Sequence, residues 1–154
     1  MITLVKIDEN NWLEAARLQV KQSQQGFLDR AIGILARGYV YRSCNARVFG
    51  IAHEQRLVDL ALVRDCTEEP TCYDLQQFMI DGIFQNRGYG TQALEQLMQL
   101  LEKEGRFSCV EVCVHREDAP ALRLYQKAGF ADTGYIDADA PECLNLMAFF
   151  PQKA

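Results

Sequence analysis

The order of hydrophobic periods along the chain predicts an α/β fold: a mixed, mostly antiparallel sheet of about seven strands, with helices on both faces. Three observations carry that prediction. Residues 46–80 hold three extended runs with no helical stretch between them, as neighbouring antiparallel strands require. Residues 88–127 then read helix, strand, helix. Between those helices Val110, Val112 and Val114 share one face of a strand with a period of two. A doubly wound parallel sheet would need a helix between successive strands and is excluded.

In order, residues 3–8 alternate as a short strand. Asp8, Asn10 and Asn11 offer N-caps for Trp12, Ala15, Ala16 and Leu18, a helical spacing that places Trp12 in the core. A second helix fits residues 27–36, with Phe27, Ala31, Ile34 and Leu35 on one face; Gly33 weakens it and Gly38 ends it. Runs 46–53 and 56–64 form a hairpin turning at Glu54–Gln55, without an Asn-Gly signature. Residues 64–70 are a polar loop and 71–80 a third strand. From 88 to 103, Leu94, Leu97, Met98 and Leu101 repeat at helical spacing, and Gly105 stands where a C′ residue belongs. Residues 107–114 are a strand, Asp118 caps a helix through Lys127 that Gly129 ends, and strands at 130–135 and 143–150 close the chain. The order is β-α-α-β-β-β-α-β-α-β-β.

The length, 154 residues, predicts one domain over 1–154 that needs no disulfide or metal staple. Hydrophobic residues at 49% and charged residues at 24% exclude disorder and coiled coil. A net charge of −5 argues against nucleic acid and suits a cationic small substrate. No run approaches the ~20 apolar residues of a membrane span, and Lys6 and Asp8 interrupt the start, so a cytoplasmic protein is expected. The six cysteines, at 44, 66, 72, 109, 113 and 143, form no C-x-x-C pair, and there are two histidines, His53 and His115. Closely paired metal ligands are missing, so no metal is expected; the thiols read as small, mostly buried apolar groups.

The segment with chemistry in it is 78–94. Gln85-x-x-Gly88-x-Gly90 opens the strongest helix, whose N-terminus presents unpaired amides and a positive dipole end, a cradle for phosphate. Arg87 adds a charge. A nucleotide P-loop needs Gly-Lys-Ser/Thr, and Gly90 is followed by Thr91-Gln92. Gly88-x-Gly90-x-x-Ala93 matches a dinucleotide fingerprint, but 64 residues after Gly90 are too few for that fold, and no acidic residue is placed for a ribose. An acyl-coenzyme A pyrophosphate is the third reading, and glycines merely fitting a helix start the plain one.

The same segment resembles the Q/R-x-x-G-x-G/A motif of the GNAT superfamily of N-acetyltransferases. A second family motif, N-x-x-A-x-x-L-Y-x-x-x-G-F, is similar to Asp118-x-x-Ala121-x-x-Leu124-Tyr125-x-x-x-Gly129-Phe130, 28 residues beyond Gly90. The resemblance covers essentially the whole chain. Within the family, Leu18-x-Val20, Gln24-x-x-Phe27, Phe78-Met79-Ile80-Asp81 and Arg123-Leu124-Tyr125-Gln126-Lys127 look most like bacterial spermine/spermidine (diamine) acetyltransferases.

The resemblance implies acetyl-coenzyme A as co-substrate and direct transfer to a primary amine. Amides of Arg87, Gly88, Tyr89, Gly90 and Thr91, with Asn86 in the same loop, would hold the pyrophosphate, and Gln85 would brace the loop. Pantetheine would lie along Phe78, Met79 and Ile80 like an added strand, with the Ile80 amide on the developing oxyanion. Tyr125 stands at the family's general acid, against the plainer reading of a packed helix aromatic. Asp118 replaces the usual Asn, so contact with the cofactor beside Ala121 competes with simple N-capping. An alkylammonium of pKa near 10.4 is neutral in only ~1 molecule in 10³ at pH 7, so a proton acceptor is expected. In histone-modifying relatives a Glu fills that role, and Asp74, eleven residues before Gln85, occupies its place. Strict alternation would put Asp74, Gln76, Phe78 and Ile80 on one face, with Gln76 binding amine. Phe27 and Tyr39 on the helical arm would cover the acceptor's methylenes, and Glu142, in an acidic stretch with Asp132, Asp137 and Asp139, would attract its charge; each acid also reads as plain surface. A homodimer is a family-based expectation. Acetyltransferases for peptides or aminoglycosides, and a non-catalytic acyl-coenzyme A binding module, are the competing functions.

Overall fold

A computed structural model describes residues 1–27, 29–82 and 85–152. Seven strands form one sheet: β1 (Ile2–Lys6), β2 (Arg47–His53), β3 (Arg56–Cys66), β4 (Cys72–Ile80), β5 (Cys109–His115), β6 (Ala131–Asp132) and β7 (Cys143–Phe149). Among the described residues four α-helices accompany them: α1 (Trp12–Ala16), α2 (Ala31–Val40), α3 (Tyr89–Glu104) and α4 (Ala119–Lys127). The sheet order is β1-β2-β3-β4-β5-β7-β6, and every pairing is antiparallel except β4–β5. The element order and the mixed sheet agree with the sequence reading.

Two cores lie on opposite faces. One gathers Ile51, Ala61, Val63, Tyr73, Leu75, Phe78, Leu94, Leu97, Leu101, Val110 and Tyr125, which pack β2–β5 against α3 and α4. The other gathers Ala15, Leu18, Ala31, Ile34, Leu60, Leu62 and Met79 beneath α1 and α2. Leu94, Leu97 and Leu101 are buried as their spacing predicts, and α3 ends on Gly105 at φ 67°, whose N–H donates to Leu101 O. The buried Tyr73 hydroxyl donates to Leu101 O at 3.1 Å and accepts from Arg106 N at 3.0 Å, tying the end of α3 to β4. The β2–β3 turn stands at Glu54 and Gln55, φ 49° and 67°, the two left-handed residues of a tight hairpin made without glycine.

Several local expectations are corrected. Asn11 precedes α1, but its side chain accepts from Asp8 N instead of capping, and the short helix leaves Trp12 43% exposed. The second helix starts at Ala31, leaving Phe27 in the preceding turn, and runs through Gly38 to Val40. Gly38 does not stop it: a Cβ there would lie 2.6 Å from Val48 Cγ2, so the glycine lets α2 approach β2. The predicted strand at 130–135 shrinks to two residues. Of the six thiols, Cys72 and Cys109 are buried, Cys113 is exposed and the rest are half-buried.

Candidate active site

The site begins where a ladder stops. β4 pairs with β5 only from Tyr73–Leu75 to Val110–Val112, although β4 continues to Ile80. At the same place Leu62 pairs with Gln77 and Val63 with Leu75, so Gln76 is an extra residue, a bulge. The bulge resets the alternation. Tyr73 and Leu75 share the α3 face with Phe78, and Ile80 packs against that cluster, whereas Met79 is buried on the α2 face. Asp74 and Gln76 therefore do not share a face with Phe78 and Ile80, which corrects the strict period-two expectation.

Beyond the bulge the main chain of β4 has a defined orientation. Asp81 N donates to Val58 O at 2.9 Å, making that pair the hydrogen-bonded kind. The next pair, Asp59 and Ile80, is then the non-hydrogen-bonded kind, and its N–H groups point away from each other. Ile80 N–H, and Phe78 N–H two residues earlier, face the side of β4 that β5 has left. Ile80 O accepts from Gln85 Nε2 at 2.9 Å, and the same nitrogen donates to Gln24 Oε1 at 2.8 Å. Gln85 thereby ties the strand end to the loop before α3.

That loop enters α3 through Gly88 at φ 78°, a left-handed conformation that favours glycine, and no side chain among the described residues caps the helix. Over it opens a cleft of about 460 Å³. Phe78, Ile80, Gln85, Asn86, Gly88, Tyr89, Gly90 and Thr91 line one wall, and Asp118, Ala121 and Tyr125 the other. Arg87, exposed in the loop, and Met79 are not among the lining residues. Arg123 and Lys127, one turn apart on α4, add cations that sequence reasoning left without a role; their i, i+4 spacing was the signal. Val20 and Gln24 also line the cleft, from an irregular segment with no period to betray them. An uncapped helix N-terminus, two cations and an outward-facing strand edge suit an elongated, diphosphate-bearing acyl carrier.

Tyr125 is 4% exposed, edge-on to Phe130 and Phe78 at ring-centroid distances of 5.4 and 6.4 Å. Burial, with the negative charges of Asp59 and Asp118, holds its hydroxyl protonated well above the usual tyrosine range. Asp118 caps α4 by accepting from Ala121 N at 3.3 Å; burial raises its proton affinity, partly offset by that amide and by His115.

The opposite face of β4–β5 is polar. Asp74 accepts from Arg64 Nε at 2.9 Å and stands in register with Glu111, which accepts from Cys72 Sγ at 3.6 Å. Burial raises the proton affinity of Asp74 while Arg64 pulls it down, and burial raises that of Glu111. Gln76 Oε1 is buried with no hydrogen-bond partner among the described residues. The Phe27 ring lies 4.7 Å from His115, bridging the α1–α2 segment to the end of β5. Tyr39, by contrast, is 68% exposed under the guanidinium of Arg42, and Glu142 is exposed, its carbonyl accepting from Arg116 N. These two do not join the Phe27 cluster: Tyr39 lies near the C-terminal end of α2 and Glu142 just before β7. Among the described residues no group of His, Cys, Asp and Glu is arranged to hold a metal, and no helix is long and apolar enough to cross a membrane.

The same architecture recurs in solved structures. Spermidine N-acetyltransferase from Vibrio cholerae, in complex with CoA and spermine, superposes with a TM-score of 0.75 at 13% identity, over 96% of this chain and 95% of that one. The ribosomal-protein-S18-alanine N-acetyltransferase from Escherichia coli gives 0.73 at 18%, over 100% and 97%. PaiA N-acetyltransferase from Thermoplasma acidophilum, in complex with coenzyme A, gives 0.72 at 14%, over 97% and 99%. At such identities these likenesses speak for the fold, while residues 8–130 match the family model described as acetyltransferase (GNAT) family. With the interrupted ladder, the uncapped α3 and the buried tyrosine all inside that matched stretch, the chain belongs to the GNAT family of acetyltransferases.

Proposed function

We propose that the protein transfers an acetyl group from acetyl-coenzyme A directly to a primary amine, with polyamines such as spermidine and spermine as the acceptor class. The observation that carries this reading is the end of β4, where the Ile80 amide faces outward between the uncapped α3 and the protonated Tyr125. Acetyl-coenzyme A supplies a thioester with a good leaving group. First-turn amides of α3, with Arg123 and Lys127, suit its phosphates; Phe78 and Ile80 offer main-chain partners to its pantetheine arm. The Ile80 N–H is placed to hold the carbonyl oxygen as charge develops there. Tyr125, kept neutral, retains a proton for the leaving sulfur.

The acceptor would approach from the other face, past Phe27 and His115 toward Asp74 and Glu111. Removing a proton from an alkylammonium at pH 7 costs about 4–5 kcal/mol. Asp74, its affinity raised by burial yet restrained by Arg64, accepts that proton directly or through water. Two carboxylates facing one side of the sheet support a cation with more than one charge, which is why a polyamine is favoured. Six free thiols support a reducing, cytoplasmic setting. A homodimer belongs to the same reading, and size-exclusion chromatography with light scattering tests it.

The deciding experiment incubates the protein with acetyl-coenzyme A and spermine, spermidine, a diamine, lysine, a peptide or an aminoglycoside, and reads acetylated product by mass spectrometry. Acetylated polyamine is the expected result. Product only from the peptide or the aminoglycoside would overturn the acceptor class, and no product despite tight cofactor binding would favour a binding module.

A further inference from the structure

The polar face of β4–β5 carries one charge that the protein leaves unanswered. Asp74 and Glu111 are partners on the middle rung of the short parallel ladder, so the two strands hold them about 5 Å apart at the backbone, on one face. Asp74 is met by a cation: Arg64 Nε donates to it at 2.9 Å, and that guanidinium also lies over Tyr41, 4.8 Å from the ring centroid. Glu111 is not. The Cys72 thiol donates to its Oε2 at 3.6 Å, and among the described residues no Lys, Arg or His pairs with it.

The surroundings do not make up the deficit. On its other flank Glu111 pairs with Met147 of β7, and along β5 Cys109 and Cys113 share its face. These neighbours are neutral, while Asp74, in register with it, repels it. Burial raises the proton affinity of Glu111, the thiol lowers it, and the charge of Asp74 raises it again. Burial and the charge of Glu111 in turn hold Cys72 protonated, so the thiol stays a donor. Glu111 is half-buried and not sealed, which leaves it open to a cation from outside. Two residues beyond Asp74, where the β4–β5 ladder has ended, Gln76 Oε1 is a further acceptor, buried and without a partner among the described residues. A half-buried anion with no counter-ion and an orphan amide oxygen both call for N–H donors that carry positive charge.

Spacing narrows the choice. Two amine nitrogens joined by three or four methylenes stand about 5–6 Å apart when extended, given bonds of about 1.5 Å. That matches the Asp74–Glu111 rung, and Met147 beyond Glu111 offers an apolar surface to the methylenes that follow.

We propose that Glu111 is a specificity-determining residue: its carboxylate binds the second ammonium of the acceptor, three or four methylenes from the amine whose proton Asp74 accepts, and Cys72 positions it through the S–H donor. The inference rests on the reading of the protein as a polyamine acetyltransferase and sharpens it. Acceptors are then selected by the charge next along their chain. Spermidine and spermine keep that contact, and a monoamine loses it.

Steady-state kinetics with spermidine and with propylamine test the assignment. Glu111→Gln should raise KM for spermidine on the order of tenfold while kcat moves far less, and the preference for spermidine over propylamine should shrink by about the same factor. Glu111→Asp, which keeps the charge but withdraws it by one methylene, should fall between. Cys72→Ala should raise the same KM a few-fold, and Cys72→Ser, which keeps a donor, should restore it. A second measurement needs no turnover. With coenzyme A present, the NMR signal of the carboxyl carbon that Glu111→Gln removes should titrate at lower pH in spermidine than in propylamine at equal ionic strength. An unchanged preference in Glu111→Gln, or a titration that spermidine leaves unmoved, overturns the role of Glu111 while acetyl transfer stands. If no polyamine is acetylated at all, the acceptor reading falls first and takes this inference with it.

Discussion

At the scale of single residues, the roles proposed for Tyr125 and Asp74, and the burial of Asp59, each make a prediction. Tyr125→Phe should lower kcat by about 10²-fold or more while coenzyme A affinity, measured by calorimetry, stays within a few-fold. Asp74 titrates on the acid limb. If it accepts the amine proton, kcat/KM falls as pH drops through its pKa, which burial has raised and Arg64 holds back. Removing that guanidinium, as in Arg64→Gln, lets burial act unopposed and should move the acid limb of the kcat/KM profile to higher pH. Asp59 acts on stability with a definite sign. Its folded-state pKa lies above its unfolded value, so between the two the folded protein binds more protons and stability declines as pH rises. Asp59→Asn removes that decline, and urea unfolding at pH 5 and pH 8 should show the variant's advantage over the wild type growing toward the higher pH.

Elements, more than residues, decide where those groups meet. Gly88→Ala forces a left-handed backbone on a residue with a Cβ, at roughly 1–2 kcal/mol, and should weaken coenzyme A binding with it. Ile80→Val, which leaves the amide in place, should change turnover little. This is also the scale at which sequence reading succeeds and fails. The α3 helix was legible because Leu94, Leu97 and Leu101 obey one period and Gly88 and Gly105 bracket them. The Asp118 cap was legible because a cap is a local interaction. Gln76 was not: a bulge is set by the partner strand, and nothing in Asp74-Leu75-Gln76-Gln77-Phe78 says which residue is extra. The same limit placed Asp74 on the wrong face and concealed the bond of Gln85 to Gln24, 61 positions away. Phe27 and Tyr39 were grouped through the helical arm that the family resemblance implies, and Gly38, which reads as a stop, instead marks close packing on Val48.

For the molecule as a whole, a net charge of −5 favours encounter with a polycation. Raising salt from 50 to 300 mM should lower kcat/KM for spermine more than for a monoamine, since exposed charges are screened beyond about 10 Å at 0.1 M. A larger consequence follows from the short β4–β5 seam. Among the described residues, the backbone ladder between the antiparallel block β1–β4 and the block β5–β7–β6 is confined to Tyr73–Leu75 and Val110–Val112. On the proposed reading, co-substrate lying along β4 would supply the missing rungs across the rest of that boundary and act as a keystone as well as a reagent. Coenzyme A should therefore slow deuterium uptake at the Phe78 and Ile80 amides first. It should also raise the melting temperature in step with the logarithm of its concentration, so that the enzyme is most resistant to unfolding when acyl donors are plentiful.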